Sequence, residues 1–285
     1  MPASLSAEQT ESYRNNGYLF PLPLFNRLHV QMILEEYAEA RRQAEDKGLG
    51  DDWARLTRAN AQLLLPFVYQ VGTAPALLDA VESVLGPDLL LWSAEFFIKP
   101  PRSDKIVSWH QDLTYWGLGE TDEEITAWVA LSDVRVESGC MRFLPGSHRQ
   151  RILPHRDTFD ESNLLSRGQQ VDVDVNEDEA VDVLLEPGQV SLHHGRIFHA
   201  SGPNQSDHDR IGLVFRFLTP KVRQLVAQRD YAMLVRGIDE HNNWIHVAPP
   251  TRNFDDADLA LYERIREDQR QALAAGAQET LHAAY

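Results

Sequence analysis

Leu89-Leu90-Leu91-Trp92-Ser93-Ala94-Glu95-Phe96-Phe97-Ile98 is where the texture of the chain changes from helical to extended. The run is apolar and rich in residues that favour strands. Further short runs of the same kind follow at Ile106–Trp109, Ala127–Leu131, Met141–Leu144, Val181–Leu185, Val190–Leu192 and Ile211–Leu218. Pro145-Gly146 and Pro187-Gly188 punctuate them as turns. Many short strands separated by turn signals indicate a sandwich or barrel. Nothing alternates as strand–helix–strand, which argues against a parallel doubly wound sheet.

Upstream the signals are helical. Ser6-Ala7-Glu8-Gln9 reads as a capping box, and Asn15-Asn16-Gly17 as the end of that helix. Leu28, Met32, Ile33, Tyr37 and Ala40 recur at helical spacing between about Asn26 and Asp46. Two more helices are expected over Asp51–Leu64 and Ala76–Leu85, the second closed by Gly86-Pro87. His155–Glu179 is polar and acidic and reads as a lid or a mobile loop between core strands. A last helix is expected over Asp256–Ala275. The expected layout is one α+β domain over 1–285: helical 1–88, a β core over 89–220 and a C-terminal extension over 221–285.

Composition narrows the function classes. The chain has 285 residues, 43% apolar and 25% charged, with a formal net charge of −16. Such an acidic surface repels nucleic-acid phosphates and anionic membranes, so a small-molecule partner is expected and neither of those. Cys140 is the single cysteine, which excludes an intrachain disulfide and fits a reducing, cytoplasmic compartment. Met1–Tyr18 shows neither a basic nor an apolar leader segment, and no run approaches membrane-spanning length.

The chemistry concentrates in Ser108-Trp109-His110-Gln111-Asp112. On a strand, residues two apart share a face, so His110 and Asp112 would project side by side, about 6–7 Å apart. Trp109 and Gln111 would then face the other way. Two histidines and a carboxylate make the facial triad of non-haem Fe(II) oxygenases, which leaves positions open for cosubstrate and O₂. His193, His194 and His199 are all available as the third ligand, and strand parity cannot separate them because Gly195 can bulge the chain.

A set of ordered motifs goes further. His110-x-Asp112 is followed by Trp128-Val129-Ala130-Leu131-Ser132-Asp133-Val134 and Glu137-Ser138-Gly139-Cys140-Met141-Arg142-Phe143-Leu144-Pro145-Gly146-Ser147-His148. His199-Ala200-Ser201-Gly202-Pro203-Asn204 and Arg210 complete it. Together these resemble the phytanoyl-CoA dioxygenase family over roughly Leu89–Leu218, with a weaker echo at Gly17-Tyr18. The resemblance implies a double-stranded β-helix (a cupin-like jelly roll) with flanking helices, Fe(II), 2-oxoglutarate and O₂ as cosubstrates, and hydroxylation of a C–H bond. In that family the distal histidine precedes a serine by two positions and an arginine by eleven. His199, Ser201 and Arg210 satisfy both spacings, whereas His193 and His194 do not.

By the same resemblance, Arg210 binds the distal carboxylate of 2-oxoglutarate, helped by Ser201, and Trp128 lines the cosubstrate pocket. A guanidinium suits that task, since its rigid fork matches a carboxylate with two hydrogen bonds; a surface pair with Asp207 or Asp209 is the competing role. Lys99 and Thr126, on neighbouring strands, are further candidates for contact with cosubstrate or substrate. Gly139–His148 reads as architecture and Cys140 as a small buried residue. Related halogenases replace the carboxylate ligand by a small residue, so an intact Asp112 points to hydroxylation.

The substrate is less legible. Trp109, Tyr115, Trp116 and Trp128 put aromatic rings around the ligand segment, suited to pocket walls or to cation–π contact. Thr114-Tyr115-Trp116-Gly117-Leu118 resembles members acting on small polar metabolites, and no basic cluster suits coenzyme A phosphates. A small zwitterion is expected, an amino acid derivative or an aminoalkylphosphonate. A phosphonate would need a cationic partner, for which Lys105, Arg142 and Arg196 are candidates.

Overall fold

A computed structural model describes residues 4–274, apart from 157, 159–161, 165–169, 173, 174 and 228. Five helices and a strand come first: α1 (Ala7–Asn16), β1 (Tyr18–Pro23), α2 (Arg27–Asp46), α3 (Trp53–Arg58), α4 (Pro66–Gly72) and α5 (Pro75–Leu85). The strands β2 (Leu89–Lys99), β3 (Val107–His110), β4 (Glu124–Ala130) and β5 (Met141–Phe143) follow. Next come the short β6 (His155–Arg156), β7 (Gln170–Val171) and β8 (Val181–Asp182). The chain continues through β9 (Gln189–His193), β10 (His199–Ser201), β11 (Arg210–Leu218), β12 (Asp230–Arg236) and β13 (Trp244–His246) to α6 (Asp256–Ala274). Among the described residues no helix is long and apolar enough to cross a membrane.

A seven-stranded sheet runs in the order β1-β9-β4-β11-β2-β12-β13, and a four-stranded sheet in the order β3-β10-β5-β8. The central strands alternate. Ile125, Ala127 and Val129 of β4 and Leu213, Phe215 and Phe217 of β11 join the helical core with Ile33, Ala40 and Leu77. Fully burying an aliphatic or aromatic side chain of this size contributes about 1.5–3 kcal/mol, so this face holds the helices on the sheet. The period of two sends the intervening residues the other way. Trp128, Ala130 and Val214 pack there with Phe143 of the second sheet. Thr126, Arg210, Arg216, Glu95 and Phe97 open on that same side into a cavity.

The Ser6 capping box forms as expected, with Ser6 Oγ accepting from Gln9 N and Gly17 ending α1 at φ 80°. The expected helix Asp51–Leu64 is interrupted instead. Ala59 turns extended (φ −153°) and ends α3, Asn60 follows in a left-handed conformation (φ 54°), and Pro66 starts α4 where its missing N–H costs nothing. β1 lies within the stretch read as helical. Its two prolines hide a strand signal, but an edge strand tolerates them, and β1 pairs with β9 at the sheet margin. β12 adds a further strand beside β2 from within the stretch read as a C-terminal extension. The His155–Glu179 segment, expected as a lid or mobile loop, lies partly outside the described residues; its described part carries β6 paired with β7.

Gly212 shows how tightly the inner face is packed. It lies between Phe97 and Ala130 on the neighbouring strands, and a Cβ there would sit 2.0 Å from Trp128 Cζ2. Gly212→Ala should therefore push the indole off its wall and lower stability by about 1–3 kcal/mol, as overpacking does. Denaturant unfolding, followed with tryptophan fluorescence, checks both effects.

Candidate active site

The two strands β3 and β10 pair antiparallel so that His199 stands opposite His110. Their rings come to 4.0 Å between centroids. Asp112 does not reach them by strand parity. β3 ends at His110, and Asp112 opens a short 3-10 turn over Asp112–Thr114, pinned where Leu113 N donates to Gly195 O at 3.0 Å. The turn swings the carboxylate inward, to 3.3 Å (Oδ1) from His110 Nε2 and 3.8 Å from His199 Nε2. One ligand atom from each of the three residues lies within 4.8 Å of the others, a spacing that could hold a metal ion.

Tautomer and charge suit that task. His110 Nδ1 lies 2.9 Å from Ser108 O and His199 Nδ1 3.0 Å from Ile197 O. Carbonyl oxygens only accept, so each Nδ1 carries the proton and each Nε2 keeps its lone pair toward Asp112. Burial, with His110 close by, holds His199 down to about 4, so it is neutral at pH 7. Burial alone would raise the Asp112 carboxyl, but His199 and His110 draw it well below the usual carboxylate range.

His193 also faces this cavity, its Nε2 4.0 Å from Asp112 Oδ2 and its ring 5.1 Å from that of Phe143. It falls outside the three-residue group. His194 turns away to Asp122, and His148 to the carbonyl of Arg14.

Across the cavity, Arg210 and Lys99 are direct register partners on β11 and β2, and both are buried. Arg210 packs between Phe97 and Trp128, with Cζ 5.6 and 5.4 Å from the ring centroids. Its Nε and Nη2 have no hydrogen-bond partner among the described residues. Asp207, one of the competing partners, pairs with Arg102 instead. Lys99 Nζ donates to Ser201 Oγ at 2.7 Å and to the carbonyl oxygens of Ser201 and Gly202. Burial and the adjacent Arg210 lower Lys99 to about 6, and burial lowers Arg210 to about 10. Arg210, buried with two unused donors and no carboxylate partner among the described residues, is built to receive an anion, with Lys99 held against Ser201 beside it. A small dicarboxylate that also reached the triad would satisfy it.

The remaining expected residues divide. Trp128, Tyr115 and Trp116 line the cavity, whereas Trp109 turns outward to Glu177 and Arg142. Thr126 lines it but donates its hydroxyl to Glu124 at 3.1 Å. Neither Lys105, Arg142 nor Arg196 lines it. Arg142 pairs with Glu177 and Asp182, and Arg196 with Asp122, because their segments lead away from the ligand face. Arg58, Arg216 and Glu95 do line it, Arg216 and Glu95 as an ion pair of 2.5 Å. Sequence reading missed these three, since nothing in a lone arginine of an amphipathic stretch marks it.

Gln111 and Glu124 were also missed. The Gln111 side chain is fully buried and ties three segments behind the ligands. It donates to Arg196 O (2.9 Å) and Arg151 O (3.3 Å) and accepts from Leu153 N (2.9 Å). Glu124 accepts from Gly195 N at 2.8 Å; a Cβ at Gly195 would collide with it at 2.4 Å, which explains the glycine.

A family model described as phytanoyl-CoA dioxygenase (PhyH) matches residues 13–212. A probable alpha-ketoglutarate-dependent hypophosphite dioxygenase from Stutzerimonas stutzeri is 30% identical over 245 residues, covering 79% of this chain and 82% of the relative. The peroxisomal phytanoyl-CoA dioxygenase of Bos taurus is 28% identical over 233 residues, 75% of this chain and 68% of its own. Among solved structures, the apo form of ThoJ, a non-heme monooxygenase, superposes with a TM-score of 0.84 at 35% identity, covering 94% of this chain and 98% of that one.

Two outcomes are expected. Gln111→Leu leaves Arg196 O and Leu153 N unsatisfied, so stability should fall by roughly 2–4 kcal/mol and divalent-metal affinity by about 10–100-fold; metal titration alongside denaturant unfolding reads both. His194, held down to about 4 chiefly by burial, stays neutral in the folded protein while the unfolded chain protonates near 6.5. The stability this neutral site contributes is present above pH 6.5 and is lost as pH falls toward 4. His194→Gln should flatten that acid limb in unfolding measured across pH.

Proposed function

The chain belongs to the phytanoyl-CoA dioxygenase family, a 2-oxoglutarate-dependent dioxygenase family using Fe(II) and O₂, and from that premise we propose that His110, Asp112 and His199 hold the iron and Arg210 anchors the cosubstrate. When bound, Fe(II) with 2-oxoglutarate and O₂ supplies the oxidising chemistry for hydroxylating a C–H bond, with succinate and CO₂ as coproducts. Everything else falls to the side chains. Asp112 stays ionised and the His199 imidazole stays neutral, and the Nδ1 hydrogen bonds turn both Nε2 atoms toward the carboxylate as ligand nitrogens. Asp112 fills the position that a halogenase leaves open, which supports hydroxylation.

The observation that carries the reading is the buried Arg210 guanidinium, with unused Nε and Nη2, in the same cavity as the triad. Ser201 and Lys99 complete the receptor for the distal carboxylate: Ser201 holds Lys99 in place, and the carboxylate restores charge to it. Trp128 walls the same end and keeps water from it. The two largely antiparallel sheets serve as the halves of a double-stranded β-helix, in one domain of a cytoplasmic enzyme.

Family membership does not select the substrate, since the relatives are named for hypophosphite and for phytanoyl-CoA. We read it as a small polar or zwitterionic metabolite, an amino acid derivative or aminoalkylphosphonate. The aromatic walls Tyr115 and Trp116 and the charged pair Arg216–Glu95 support that reading.

Mixing Fe(II) and 2-oxoglutarate with the protein in the absence of oxygen should produce a visible metal-to-ligand charge-transfer band. Arg210→Met should raise the 2-oxoglutarate concentration for half-saturation roughly 10–100-fold, the loss expected for a charged hydrogen-bonded pair. No band from folded wild-type protein, or a band whose 2-oxoglutarate dependence ignores Arg210, would contradict the proposal.

A further inference from the structure

Arg58 stands at the end of α3 and lines the triad cavity. It also lines an adjoining cavity with Trp92, Trp116 and Arg266, so it sits on the wall the two share. Its Nη2 donates to Leu164 O at 3.1 Å, and its Cζ lies 5.9 Å from the centroid of Phe97. The same ring packs against Arg210 at 5.6 Å. Arg58 has no carboxylate partner among the described residues. Other arginines share that lack, but of those only Arg58 and Arg210 line the triad cavity.

A count of formal charge in the cavity shows why this matters. Ferrous iron and Arg210 are positive; Asp112 and the two carboxylates of 2-oxoglutarate are negative, and these cancel. Arg216 and Glu95 cancel each other. Lys99, lowered to about 6, leans neutral at pH 7 until an anion arrives. Lys99, once recharged, and Arg58 are left over, but Lys99 spends its donors on Ser201 and Gly202, whereas the Arg58 fork is held on one side by Leu164 and has no carboxylate partner among the described residues. A guanidinium so placed matches the two oxygens of a carboxylate or a phosphonate.

We propose that Arg58 anchors an anionic group, carboxylate or phosphonate, of the primary substrate, fixing which carbon is presented to the triad while the rest of the molecule extends beside Trp116 into the adjoining cavity. This rests on the reading of the triad and Arg210 given above. It also replaces Lys105, Arg142 and Arg196 as the source of the cation that an aminoalkylphosphonate would need.

Phenylphosphonate is the probe, with its neutral dimethyl ester as control, titrated against oxygen-free protein loaded with Fe(II) and 2-oxoglutarate and followed by tryptophan fluorescence. Phenylphosphonate should bind saturably and the ester should not. Arg58→Gln should weaken the phosphonate roughly 10–100-fold. Arg58→Lys, which keeps the charge and loses the fork, should weaken it less, and serves if the glutamine variant folds poorly. Equal binding of the ester, binding untouched by either substitution, or no saturable binding to wild type overturns the proposal. The charge-transfer band in the same samples separates the two readings: without it the triad assignment fails and takes this inference with it, whereas an intact band with phenylphosphonate indifferent to Arg58 removes this inference alone.

Discussion

The antiparallel register that sets His199 across from His110 carries the rest of the site. A strand pair fixes both backbones, and a hydrogen bond from each Nδ1 to a carbonyl two residues back fixes both rings. Two lone pairs then converge without the side chains having to search. Asp112 completes the set from a turn rather than a strand, and that turn depends on Gly195, Glu124 and Gln111 behind it. A slip of one residue in the β3–β10 pairing would turn one imidazole to the opposite face.

The second organising feature is charge. A chain with a net charge of −16 gathers Arg210, Arg216 and Arg58 around one interior space, with Lys99 beside Arg210 on the neighbouring strand. Each is held by a different device: Lys99 by Ser201 and its neighbouring carbonyls, Arg210 by two aromatic rings, Arg216 by Glu95, Arg58 by a carbonyl and the edge of the cavity. Burying such groups without anions is costly. Ligands that bring the anions therefore bind with an intrinsic advantage, and the cavity is most stable when loaded.

Much of this was legible in the sequence. The strand runs from Leu89 onward and the capping box at Ser6 stand where period and turn chemistry put them, and motif spacing singled out three residues whose ligand atoms the fold brings within 4.8 Å of one another. What escaped has a physical pattern. β1 was hidden because its prolines suit only an edge strand, and edge position depends on pairing with β9, far along the chain. The break after α3 turns on two residues, extended Ala59 and left-handed Asn60. Strand parity brought His110 and Asp112 together for a reason the structure corrects, since the second lies beyond the strand. Arg58, Glu95 and Arg216 were invisible because a cavity wall is assembled from distant segments, and no local spacing marks a residue as facing one.

The most direct measurement is a crystal structure grown without oxygen in the presence of Fe(II) and 2-oxoglutarate, with anomalous data collected at the iron edge. One anomalous peak is expected, bounded by His110 Nε2, an Asp112 carboxylate oxygen and His199 Nε2, with the far carboxylate of 2-oxoglutarate on the Arg210 guanidinium. A peak elsewhere, or a 2-oxoglutarate carboxylate that leaves Arg210 unpaired, would contradict it.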